Sequence, residues 1–244
     1  MEDTQKLLLN AAHFTAHKGI ARFTRFLDPA QAVLAQQIAR QEGVSFVSWG
    51  GYENAERVIG CFFTDMEPDH DEYPLVCLQS AYPSRFSSIS HRDLLGAFMS
   101  LGLTRDTLGD IIILDDVVYL FVTSSTAGYI VAGMTSAGRA ALDFQHMETV
   151  PSIPSPKGRE FTSVISSLRL DAVLAAAYKL SRSAAADAIR AGLVKVNHIP
   201  CERVDLNLDE NTLLSLRGEG RVRLVAVNGL TRKQRIGVTF FRYE

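Results

Sequence analysis

The chain has 244 residues, is 47% hydrophobic and 21% charged, and carries 25 Lys+Arg against 27 Asp+Glu, a formal net charge of −2. That is ordinary globular usage and excludes disordered, collagen-like and coiled-coil chains; no run of about eighteen apolar residues offers a transmembrane helix. The near-neutral total hides an asymmetry, because residues 1–156 hold 10 Lys+Arg and 18 Asp+Glu, a net of −8, while residues 157–244 hold 15 and 9, a net of +6.

The opening Met1-Glu2-Asp3-Thr4-Gln5-Lys6 lacks the basic-then-apolar order of a signal peptide, so export is not expected. Residues 1–41 read as helix, with Leu7, Leu8, Ala11, Ala12 and Phe14 at helical spacing. Asp28-Pro29 is an N-cap followed by proline, opening a second helix from about Ala30 to Arg40 that Gly43 stops. Residues 44–49 and 58–64 are apolar and β-rich around a Gly50-Gly51 turn, and the acidic stretch Asp65 to Glu72 reads as a loop. Residues 1–74 are therefore expected to form an N-terminal α/β domain.

From Leu75 the pattern changes. Leu75-Val76-Cys77-Leu78 is a strand, and His91 to Leu101 is a helix stopped at Gly102. Ile111 to Leu114 and Val117 to Val122 are strands joined by the tight turn Asp115-Asp116. Residues 124–138 read as helix with Ile130, Val131 and Met134 inward, and Ala141 to Val150 as the closing strand. The order β-α-β-β-α-β is the split βαβ, or ferredoxin-like, arrangement over residues 75–150. Pro151, Pro154 and Pro156 mark a linker, taken as residues 151–160. Residues 161–244 then read as a small α+β domain with helices near 168–178 and 181–191. Its strands fall near 193–197, 212–217, 220–227 and 236–243. The fold class is α+β throughout.

The charge split suggests a polyanion-binding module in the last domain, against chance solvation as the plainer reading. The informative stretch runs Arg169-Leu170-Asp171, Leu180-Ser181-Arg182-Ser183, then Ala188-Ile189-Arg190-Ala191-Gly192-Leu193-Val194-Lys195-Val196-Asn197. Leu170, Val173, Leu174 and Ala177 make an inward stripe, and Ser181 is placed to cap the second helix. Arg182 and Arg190 stand about 80° apart around that helix at ~100° per residue, so both point to roughly one side. Cations above an apolar core suit phosphate contacts, which position a protein without reading bases. Taken singly, each cation reads equally well as a solvated surface residue. Asp171 can cap or pair with Arg182, and Asn197 can be a turn residue with left-handed backbone. Arg217-Gly218-Glu219-Gly220-Arg221-Val222-Arg223 and Thr231-Arg232-Lys233-Gln234-Arg235 are two further basic turns, each also readable as a solubilising hairpin.

The Arg-Leu-Asp start, the Ser-Arg-Ser helix opening and Ile-x-x-Gly-x-Val-x-Val-Asn resemble the RNA-binding domain named after ribosomal small-subunit protein S-four. In that family, paired helices and the adjoining turn grip structured RNA mainly by backbone and shape. The resemblance implies RNA contacts at Arg169, Ser181, Arg182, Ser183, Arg190, Lys195 and Asn197. Lys179 and the cations of the two basic turns, Arg217, Arg221, Arg223, Arg232, Lys233 and Arg235, join them as candidates on their charge.

Further motifs extend the likeness: Gly50-Gly51-Tyr52, Ala55-Glu56-Arg57, Ser90-His91-Arg92-Asp93-Leu94-Leu95-Gly96, Leu101-Gly102, Gly109-Asp110-Ile111 and the closing Arg-Gly-x-Gly-Arg. With them nearly the whole chain resembles the YlmH family. Its members are cytoplasmic proteins of Gram-positive bacteria and of cyanobacteria or plastids, linked to cell-division gene clusters. A relationship to small proteins that bind the large ribosomal subunit implies partners in ribosomal RNA and tRNA, and a role in rescuing stalled subunits that carry peptidyl-tRNA.

Catalytic alternatives find little support. A P-loop and a glycine-rich cofactor turn are absent, and His91-Arg92-Asp93 lacks the Asn of a kinase loop, Phe98 standing there. Asp93 instead reads as a capping-box partner of Ser90. Cys61, Cys77 and Cys201 are too scattered for zinc or a disulfide framework and read as buried or half-buried thiols. A non-catalytic protein without metal or cofactor is the expectation. Two alternatives stay open: an RNA-modifying enzyme of pseudouridine synthase or methyltransferase type with its site in the N-terminal half, and a cell-division adaptor whose acidic half docks a protein.

Overall fold

A computed structural model describes residues 2–83, 89–148, 150, 152–154, 158–231 and 234–244. The chain divides into two units, Met1–Ile153 and Pro154–Glu244.

In the first unit, α1 (Glu2–Lys18), β1 (Arg22–Leu27), α2 (Pro29–Glu42), β2 (Ser45–Trp49) and β3 (Val58–Phe63) build an antiparallel sheet of order β1-β3-β2. Asp28 caps α2 as its composition demands: its carboxylate accepts the Gln31 N–H at 2.8 Å, and the Gln31 side chain accepts the Asp28 N–H at 2.8 Å. β1 corrects the all-helical reading of residues 1–41. Arg22-Phe23-Thr24-Arg25-Phe26-Leu27 is rich in β-favouring residues and finds a partner in β3, which outweighs the helical spacing around it.

The chain continues through β4 (Leu75–Ala81), α3 (His91–Ser100), β5 (Leu108–Leu114), β6 (Val117–Thr123), α4 (Ser124–Gly133), β7 (Ser136–Ala137), β8 (Ala140–Ala141) and β9 (Gln145–His146). β4, β5, β6 and β9 form a second sheet of order β5-β6-β4-β9 with antiparallel neighbours. The closing strand expected over 141–150 is reduced to two residues of pairing, and the helix expected to residue 138 ends at Gly133. Ala140, Leu142 and Phe144 are buried while Ala141 and Asp143 are exposed. That alternation imitates a strand, although the segment only lays its apolar side chains on the core.

Strand alternation sorts the two sheets into layers. Phe62 meets Leu8, Ala12, Ala35 and Ile38 of α1 and α2, whereas Leu120 and Val122 meet Leu94, Phe98 and Ile130 of α3 and α4. Between them Phe26, Ile59 and Cys61 of the first sheet pack on Cys77 and Phe121 of the second. The boundary expected at residues 74 and 75 thus runs through one shared core. Burial there raises the Cys61 thiol to about 11 and the Cys77 thiol to about 12, so both stay protonated at neutral pH.

The second unit comprises β10 (Gly158–Ile165), α5 (Leu170–Tyr178), α6 (Arg182–Arg190), β11 (Val194–Val196), β12 (Ile199–Pro200), β13 (Leu213–Leu216), β14 (Gly220–Leu230) and β15 (Ile236–Tyr243). Its sheet has the order β10-β15-β14-β13-β11-β12, antiparallel at every pairing. β10 occupies residues 158–160 that the sequence assigns to the linker. Val173, Leu174, Ala185 and Ile189 of the helices cover Val194, Leu214, Val222, Leu224, Val238 and Phe240 on one face. Among the described residues, no helix is long and apolar enough to cross a membrane.

Candidate nucleic-acid interface

The candidate residues centre on the corner between α5 and α6. Lys179 ends α5 with φ +56°, and Ser181 N-caps α6, its hydroxyl accepting the Ala184 N–H at 3.1 Å. The Ser183 hydroxyl lies 3.0 Å from that of Ser181. Beneath them Asp171 is only 5% exposed. Its carboxylate accepts Arg182 Nε at 2.9 Å, Arg169 Nε at 3.2 Å and the Ala172 N–H at 2.9 Å. Burial by itself raises the Asp171 pKa, but the hydrogen bonds and charges of Arg182 and Arg169 outweigh it and hold the group below the usual carboxylate range. The two arginines keep 54% and 41% of their side chains exposed. Each commits one edge of its guanidinium to Asp171 and presents the rest to solvent, five donors being available per side chain.

Arg190 lies on the same nine-residue helix and pairs with Asp187 at 3.1 Å; both are well exposed. Such a surface pair contributes little and yields readily to a phosphate. These residues form one helical set: Arg169, Lys179, Ser181, Arg182, Ser183 and Arg190.

The other candidates do not join that set. Lys195 alternates with buried Val194, and Arg221 and Arg223 flank buried Val222, so all three leave the sheet on the face opposite α5 and α6. The single cationic platform suggested by sequence is therefore two sets on two faces. Asn197 is a turn residue with φ +46°, its side-chain oxygen accepting the Leu213 N–H at 2.8 Å. Arg217 is exposed at the β13–β14 turn, and its backbone N–H donates to Leu193 at 3.0 Å. Arg235 reaches sideways, donating to the Val164 carbonyl at 2.9 Å. Arg232 and Lys233 lie outside the described residues.

Three residues escaped the sequence reading. Arg242 donates to the Ala177 carbonyl at 2.9 Å near the end of α5, with its guanidinium 5.3 Å from the Tyr178 ring. Phe241 and Tyr243 alternate with buried Phe240 and stand on the open face with Arg221 and Arg223. Ile236, Val238 and Phe240 mark the covered face of β15, which leaves Phe241 and Tyr243 on the other.

The motifs of the first unit also converge, as a fastening. The Asp110 carboxylate accepts the Tyr52 hydroxyl at 2.8 Å and the backbone N–H groups of Glu56 and Arg57 at 2.7 and 3.1 Å. Burial nevertheless raises its pKa. Arg57 donates to the carbonyls of Leu108, Phe26 and Arg105, and burial together with the nearby Arg105 charge lowers it to about 10. Gly51 has φ +97°, and a Cβ there would stand 2.5 Å from the Phe121 ring. Ser90 and Asp93 form the capping box of α3, which leaves His91 as its first residue. Among the described residues, no group of three or more His, Cys, Asp or Glu could hold a metal ion.

Residues 68–150 match the family described as "Putative RNA-binding domain in YlmH", and residues 168–214 match the S4 domain. Over 225 residues the chain is 35% identical to the Ribosome-associated protein quality control protein P2 of Bacillus subtilis (strain 168), spanning 91% of this chain and 88% of that one. The solved structure of Cell division protein ylmH from Streptococcus pneumoniae shares the fold at a TM-score of 0.52 and 18% identity, over 60% of this chain and 90% of that chain.

Proposed function

The chain belongs to the YlmH family, and from that premise we propose that it is a non-catalytic RNA-binding protein. It docks on structured ribosomal RNA of the large subunit, close to peptidyl-tRNA, and serves ribosome-associated quality control in the cytoplasm. The observation that carries this reading is the α5–α6 corner, where a buried carboxylate holds two half-exposed arginines in place. Side chains fixed before binding lose little freedom on contact, so the corner is prepared for phosphates. The relative from Bacillus subtilis, named for ribosome-associated quality control, supports the pathway. The absence of catalysis is supported by Asp110 and Arg57, whose hydrogen bonds are spent on the first unit's own backbone and on Tyr52.

Contacts of this kind release counterions, so affinity for ribosomal RNA should fall steeply, by at least tenfold, between about 50 and 200 mM salt. Replacing Arg182 and Arg190 together by Ala should abolish co-sedimentation with large subunits while circular dichroism shows the second unit still folded, its melting temperature lowered by loss of the Arg182–Asp171 pair. Unchanged co-sedimentation of that double variant would remove the helical corner as the docking site. Binding that ignores salt would remove phosphate recognition altogether.

A further inference from the structure

The face of the second unit's sheet that α5 and α6 leave uncovered carries its own pattern of cations and rings. Lys195 on β11 pairs with Ser215 on β13, and Ser215 pairs with Arg221 on β14. Tyr243 of β15 completes the row, its ring 5.0 Å from the Arg221 guanidinium. In the adjoining row Arg223 pairs with Phe241 and also donates to the Tyr243 hydroxyl at 2.8 Å. The Phe241 and Tyr243 rings meet edge to face, 5.0 Å apart. A Cβ at Gly158 would come within 2.6 Å of the Phe241 ring, so glycine at that point lets the ring lie over β10. Lys195 is exposed, as are Glu160, Thr162 and Val164 on the same face of β10.

We propose that this open face is a second RNA-contact surface that takes an unpaired, single-stranded segment. The proposal rests on the RNA-binding reading above and extends it: the helical corner takes the phosphates of folded RNA, and the opposite face takes a single strand. A protein ring stacks on any base, while neighbouring arginine and lysine follow the backbone. Both requirements meet here within two adjacent rows. The Arg223–Tyr243 hydrogen bond and the Phe241–Tyr243 contact fix the ring planes in advance. Charge complementarity selects a polyanion, and the paired rings select one that has bases. Glu160 stands opposite Phe241 on β10, which directs the strand across β14, β13 and β11.

The test uses the full chain with two labelled probes, an unpaired RNA of about ten nucleotides and a stable RNA hairpin, followed by fluorescence anisotropy. Tyr243→Leu with Arg221→Gln should weaken the unpaired RNA about tenfold and leave the hairpin unchanged. Lys195→Glu, a change at an exposed position, should weaken the same probe and so covers any folding defect of the first variant. Arg182→Ala with Arg190→Ala should do the reverse. Loss of both probes in a folded open-face variant, or displacement of one probe by the other, overturns the proposal. So does equal binding of an abasic strand or of polyglutamate, which would make the face a mere polyanion site. Wild-type binding of the hairpin alone overturns this proposal only; binding of neither probe overturns the RNA reading beneath it.

Discussion

Asp171 shows how much one residue in the corner decides. Its folded pKa lies below the unfolded value of roughly 3.9, so the group contributes stability that is present above that value. The contribution is lost as pH falls through the folded pKa. Asp171→Asn should therefore cost roughly 2 kcal/mol at pH 7, because the negative charge shared by Arg169 and Arg182 is lost and one acceptor oxygen becomes an NH2 donor facing an arginine. The gap between variant and wild type should begin to narrow below about pH 4, where the unfolded chain takes up a proton that the folded carboxylate still resists. It should close once the folded carboxylate is protonated too. Urea titrations at several pH values measure this; a gap independent of pH would mean the ion pairs contribute nothing. At this scale the sequence was partly legible. The Ser181 cap, the Asp171–Arg182 pair and the turn role of Asn197 all follow from local chemistry. Arg242 was hidden because its partner, the Ala177 carbonyl, is a backbone group brought near only by the fold.

Among elements, those with local punctuation were readable and those made by pairing were not. α2, α3 and α6 carry their own caps in Asp28, Ser90 and Ser181, and β15 alternates from Ile236 to Phe240. β1 and β10 become strands only through β3 and β15, partners far away in sequence. The convergence of the Gly50-Gly51-Tyr52 segment on Asp110 was equally invisible, since it joins a loop to a strand of the other sheet. Gly51 makes that joint possible. Gly51→Ala adds left-handed strain to an overlap with Phe121, and should cost roughly 2–4 kcal/mol. The emission of Trp49 on β2 during urea unfolding reads that loss. An unchanged midpoint would show that the loop adapts without cost.

At the scale of the molecule, the charge division was legible at once, whereas the partition of cations onto two faces needed the strand register. The chain's one tryptophan lies in the first unit, so its emission reports on that unit alone. Asp171→Asn should move the far-UV circular dichroism transition of the second unit without moving the Trp49 midpoint, and Gly51→Ala should do the opposite. Coincident shifts in both signals would show that the units unfold as one. The strand order of the second unit has a kinetic consequence. β15 lies between β10 and β14, and it joins β10 by pairings from Ile165–Ile236 to Gly158–Tyr243. Such distant partners must close a long loop before any ladder rewards them, which makes this sheet slow to form. A chain cut between Leu230 and Ile236 would keep β10 and β14 with no strand between them, and their bare edges would seek another copy. Broken chains should therefore clump or be digested before they can compete with intact ones for RNA.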